Sequence, residues 1–223
     1  MPACMSQVQI IRNGEEWSRM RLEKQTSADI AEQVMEHPDL LGELLNGVSA
    51  DDAKARFGSA KALRVISEKN PQLLYPHMPF FADLLDSKNN ILKWTAIDII
   101  GNLTAADTDD AFKRLFEKYY SYLHEGSLIT AGHVVDTSGS IALSKPDLIG
   151  KITERLLTVD EVPLPTPECR NILVGKAIRA FEVYFDRIES QDRNRVLSFV
   201  RRHLHNSRNA TRTRAKKFLA KFE

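Results

Sequence analysis

One spacing constrains this sequence more than any other: a pattern of small and apolar residues that returns at intervals of 37 to 42 positions. From Arg56, the offsets 3, 4, 6, 7 and 10 give Ser59, Ala60, Ala62, Leu63 and Ile66; from Lys93 they give Ala96, Ile97, Ile99, Ile100 and Leu103. From Arg212 they give Ala215, Lys216, Phe218, Leu219 and Phe222. Weaker copies start at Ala131, with Val134, Val135, Thr137, Ser138 and Ile141, and near Arg170, with Leu173, Val174, Lys176, Ala177 and Ala180. A repeat of this length is a single supersecondary unit that cannot bury its apolar face alone and has to stack on its neighbours.

Those units are helical. Apolar residues recur at three- and four-residue steps, as in Phe112, Leu115, Phe116, Tyr119 and Leu123, and no stretch alternates over a strand's length. Proline removes a backbone donor and disfavours helix before it, so the segments around Pro38, Pro71, Pro76 with Pro79, Pro146 and the Pro163–Pro165–Pro167 run mark helix boundaries. The first helix of each hairpin is thereby expected at about Pro38–Val48, His77–Asp86, Asp110–His124, Asp147–Val159 and Asp192–His205. The fold class is all-α, built from about five antiparallel hairpins.

The period, the basic residue opening a second helix and the small residues at close helix approaches resemble the armadillo/HEAT-like repeat family over residues 37 to 222. The resemblance implies a curved, right-handed α-α superhelix, an α-solenoid, whose second helices line the concave surface. It makes residues 27–223 one repeat domain. Residues 1–26 precede it as an extension or a capping helix, for which Trp17, Met20 and Leu22 are the apolar contributors.

Composition narrows the setting. Hydrophobic residues make up 43% and charged residues 27%, enough apolar area for a sizeable core. No apolar stretch is long enough for a membrane span, and the N-terminus lacks the charged start and greasy run of a secretory signal. Cys4 and Cys169 are far apart and match no metal or redox spacing, so a reducing, cytoplasmic location is expected. The net charge of +1 hides an asymmetry: residues 190–223 hold ten Lys or Arg against two acids, leaving the preceding 189 residues acidic.

No glycine-rich phosphate loop, nucleophile elbow, zinc-protease helix or calcium loop occurs, so no catalytic residue, metal ligand or cofactor is assigned. The acids Asp107, Asp109 and Asp110 stand before a strong helix, where short carboxylates cap free amides, as do Asp51 and Asp52 before the Arg56 helix. Two surfaces remain as candidates. On the second helices, Lys61, Asp98 and Asp136 each lie five residues past their repeat anchor, with Trp94 one turn before Asp98 and His133 one turn before Asp136. At the basic end, Arg208, Arg212 and Lys216 form one row, and Arg214, Lys217 and Lys221 a second, joined by Arg201 and Arg202 of the preceding helix.

Extended repeat surfaces suit macromolecules, so a non-catalytic scaffold holding a protein partner is the leading reading. Nucleic-acid binding by the basic end is the alternative. A third rests on similarity to the HEAT-like alkylpurine DNA glycosylases, which use aromatic residues and an aspartate in a basic groove; Trp94 with Asp98, or His133 with Asp136, would supply that pairing.

Overall fold

The computed structural model describes residues 25–223. The expectation of a cap built from Trp17, Met20 and Leu22, and the setting of Cys4, lie outside them. The described residues contain helices and no strand. The chain divides into two compact units, Met1–His77 and Met78–Glu223.

In the first unit, α1 (Ser27–Glu36) opens on a capping box: the Asp29 amide donates to Thr26 Oγ1 at 3.2 Å, and the Thr26 amide donates back to the Asp29 carboxylate at 2.9 Å. It lies ahead of the first hairpin that the sequence predicts, and buries Ile30, Ala31 and Val34. That hairpin pairs α2 (Leu41–Gly47), entered through a 3-10 turn at Pro38–Leu40, with α3 (Ala53–Lys69). Asp52 caps α3 by accepting from the Ala55 amide at 2.7 Å. Arg56 then ties the connecting loop, its Nη1 donating to the carbonyls of Ala50 at 2.8 Å and Asp51 at 3.2 Å. The unit ends with α4 (Pro71–Leu74), which starts on the expected proline, and a 3-10 turn at Tyr75–His77.

The second unit opens with α5 (Met78–Leu84), packed on α6 (Asn90–Leu103). Three further pairs follow. They are α7 (Ala111–Ser121) with α8 (Leu128–Ser144), α9 (Ile149–Leu157) with α10 (Pro167–Tyr184), and α11 (Ser190–Arg202) with α12 (Asn209–Phe222). The fourth repeat, loosest in sequence, is a regular hairpin whose Leu173, Val174, Ala177 and Ala180 are buried as its offsets require.

The second helices α6, α8, α10 and α12 pack side by side, and the first helices α9 and α11 pack on each other behind them. The core between these layers is aromatic where α7 meets its neighbours. Tyr119 donates to Ile97 O at 3.0 Å and lies 2.7 Å from Thr137 Oγ1, while Tyr120 donates to Ser138 Oγ at 3.1 Å. Both phenols are enclosed, and burial pushes their pKa values well above the ordinary range, so they remain neutral donors. Their hydroxyl partners explain why α8 carries Thr137 and Ser138 where the Arg56, Lys93 and Arg212 repeats carry apolar residues.

The acids before α7 divide their work. Asp107 accepts from the amides of Ala111 at 2.9 Å and Phe112 at 3.0 Å, capping the helix from outside its first turn. Asp110, in left-handed conformation at φ 59°, makes the turn, and Asp109 pairs with Arg114 at 3.4 Å. Lys145, buried at the end of α8, reaches Asp107 at 2.9 Å.

Candidate functional site

The outward side of the second-helix layer in the second unit consists of four stripes, each set by three- and four-residue steps. On α6 the stripe is Ile91, Trp94 and Asp98; on α8 it is Ile129, His133 and Asp136; on α10 it is Ile172, Lys176, Arg179 and Val183; on α12 it is Arg214, Lys217 and Lys221. Side-chain contacts join each stripe to the next, and the partners advance together along the chain, so the helices run parallel.

Between α6 and α8, the Trp94 indole donates to Thr130 Oγ1 at 3.0 Å and stacks on the His133 ring, centroids 5.8 Å apart and planes 13° from parallel. His133 Nδ1 lies 2.8 Å from Asp98 Oδ1, and Asp98 is only 6% exposed. Nearby, Lys93 pairs with Glu125. The structure thus brings Trp94, Asp98 and His133 together, but crosswise: Trp94 meets His133, and Asp98 meets His133, rather than Trp94 meeting Asp98 or His133 meeting Asp136.

Between α8 and α10, Asp136 bridges Lys176 and Arg179. Gly132 is where the Lys176 stem crosses α8, since a Cβ there would lie 3.3 Å from Lys176 Cε. Gly139 lets Val183 pack closer still, a Cβ there lying 3.0 Å from Val183 Cβ. Between α10 and α12, Thr211 Oγ1 donates to Asn171 O at 2.8 Å, Arg214 donates to Gly175 O at 2.8 Å, and Lys221 pairs with Glu182 at 3.0 Å. Lys61 belongs to the first unit, where it is exposed on α3.

The candidates at the basic end divide by what they touch. Arg201 pairs with Glu223 and Arg208 with Glu168. Arg202 lies 3.4 Å from Asp160 and over the Phe199 ring. His203, whose Nε2 lies 3.6 Å from Asp160 Oδ2, outweighs burial and together with Arg202 holds the Asp160 carboxyl below its ordinary pKa. Arg212 repeats the role of Arg56: its Nη1 donates to the carbonyls of Asn206 at 2.7 Å and Ser207 at 2.8 Å, closing the loop before α12. Lys216 and Lys217 are exposed and make no hydrogen bond or ion pair among the described residues.

Sequence reasoning missed six members of the outward stripes: Ile91, Ile129, Ile172, Lys176, Arg179 and Val183. The large hydrophobics exposed among the described residues are Ile91 at 46%, Ile129 at 52% and Val183 at 49%, and all three lie in this layer. The available signal was the helical register, since Ile91 and Ile129 stand one turn ahead of Trp94 and His133. Burial patterns make such residues read as core until the neighbouring helix is in place. Among the described residues, no group of three or more His, Cys, Asp or Glu could hold a metal ion, and no helix is long and apolar enough to cross a membrane.

No protein-family model matches the sequence. No curated protein matches it significantly. Solved structures do resemble it. A designed armadillo repeat protein aligns with a TM-score of 0.60 at 14% identity, over 97% of this chain and 94% of that one. A second, in complex with the peptide (KR)4, aligns with a TM-score of 0.60 at 14% identity, over 99% and 95% of the two chains. An engineered protein aligns with a TM-score of 0.55 at 13% identity, over 91% and 90%. At such identities the likeness is one of fold, and the fold is that of an all-α, armadillo-like repeat solenoid.

Proposed function

We propose that this chain is a non-catalytic binding module, holding an extended peptide segment of a protein partner across the second-helix face of its second unit. The observation that carries the reading is that the exposed Ile91, Ile129 and Val183 all lie on that one face, the first two one turn from the Trp94–His133 stack and Val183 against Gly139. Single exposed hydrophobics are ordinary, but apolar residues gathered in one place and rimmed by charge mark interaction surfaces. Adjacent parallel helices repeat this surface in small steps, which suits an extended ligand. One of the designed armadillo neighbours is in complex with a peptide, and peptide binding is the corresponding expectation for this chain.

A selection from displayed random peptides against the intact chain tests the reading. Enriched sequences should share a pattern of apolar and charged positions, and their binding should fail in Trp94→Ala. Failure to enrich any sequence, or binding indifferent to Trp94, would refute it.

The nucleic-acid reading retains Lys216 and Lys217, the candidate cations of the basic end that make neither a hydrogen bond nor an ion pair among the described residues. It requires binding that falls steeply with salt. Because Arg212 closes a loop, Lys216→Ala with Lys217→Ala is the informative variant.

A further inference from the structure

We infer that the segment held on this face is acidic, with its carboxylates over α10 and α12 and an apolar side chain beside Val183; the inference rests on the peptide-binding reading above. The charge along the face changes sign between helices, and the two halves differ in how far each charge is already used. Asp98 is buried against His133, and Asp136 faces two cations at once, so the acids of α6 and α8 have little negative field left for a ligand.

On α10 and α12, Lys176, Arg179, Arg214, Lys217 and Lys221 stand against only Asp136 and Glu182. Arg214 donates to a neutral carbonyl and keeps its full charge, and Lys217 makes no ion pair among the described residues. A planar guanidinium with free N–H groups is suited to a carboxylate. The excess positive charge would attract an acidic segment and oppose a basic one.

The same surface favours peptide over nucleic acid. Its cations are interrupted by Val183, 49% exposed, and by the Glu182 carboxylate, where a phosphate backbone would need an unbroken basic track. A segment mixing carboxylates with an apolar residue meets both features.

Fluorescence polarisation on the intact chain tests this with four labelled probes. They are a peptide of Asp and Glu around one Leu, a twin with Lys and Arg at the acidic positions, a twin with Asn and Gln there, and an oligo-dT of matched length. The acidic peptide should bind at least about tenfold more tightly than the neutral twin at low salt, and Lys217→Glu should weaken it about fivefold. Because Lys217 has no partner to lose, that variant should remain folded; Val183→Ser should weaken the acidic and neutral peptides alike.

A basic or neutral twin binding as tightly as the acidic peptide would overturn the inference and leave peptide binding standing. Oligo-dT binding more tightly than the acidic peptide, and sensitive to Lys217→Glu, would overturn it in favour of nucleic acid. Absence of binding by every peptide would remove the peptide-binding reading, and this inference with it.

Discussion

Asp107 shows how one residue can hold a junction between helices. Its side chain is wholly enclosed, caps α7 through two amides and faces the Lys145 ammonium at 2.9 Å. Removing one partner of a buried pair costs far more than the pair contributes, so Lys145→Ala should destabilise the fold by about 3 kcal/mol in urea unfolding. Burial alone would raise the Asp107 pKa, but the Lys145 and amide hydrogen bonds outweigh it and hold the value below the ordinary 3.8. The folded value therefore lies below the unfolded one. Its contribution is complete above the ordinary carboxylate range and is lost as pH falls through the lower, folded value. Unfolding measured from neutral to acid pH should show wild type losing its advantage over Asp107→Asn as the solution is acidified. The sequence made the acids before α7 legible as caps, because short carboxylates ahead of a helix have that role. It did not separate Asp107 from Asp109 and Asp110, since the distinction depends on Lys145, which lies 38 residues away.

At the scale of the helix, the repeat itself was the legible part. Offsets from Arg56, Lys93 and Arg212 marked α3, α6 and α12, because small residues at fixed steps are what adjacent second helices need. α1 escaped the reading because its buried Ile30, Ala31 and Val34 fall in none of the five offset sets. The outward stripes escaped for a different reason: Ile129 and Val183 are chemically core residues, and only the packing leaves them exposed. Where glycine serves close approach, its replacement has a predictable sign. A Cβ at Gly101 would lie 2.8 Å from the branched Thr137 side chain, so Gly101→Ala should destabilise by about 1–3 kcal/mol. At Gly132 the obstacle is the flexible Lys176 stem, so Gly132→Ala should be neutral or gain up to about 1 kcal/mol of helix propensity. Thermal or urea unfolding of the two variants separates these outcomes. Arg212→Met should cost about 1–2 kcal/mol by freeing two loop carbonyls, with hydrogen exchange rising around residues 206–208.

At the scale of the whole chain, ionic contacts bridge positions one repeat apart. Within the second unit they include Lys113 with Asp147, Glu117 with Arg155, Asp136 with Lys176, and Glu168 with Arg208. Exposed pairs of this kind contribute little stability individually, and their consequence is to leave a patterned surface in which some charges are spent and others are available. The proposed binding surface is the second-helix face of the second unit. The most direct test is the affinity of one selected peptide for wild type, for Ile129→Asp on that face, and for Arg155→Ala on a first helix. Neither side chain is needed for the core, Ile129 being 52% exposed and Arg155 lying in an exposed ion pair. If peptide lies on that face, Ile129→Asp should lose at least about tenfold in affinity and Arg155→Ala should not change; equal affinity for all three, or a loss confined to Arg155→Ala, would show that the peptide binds elsewhere.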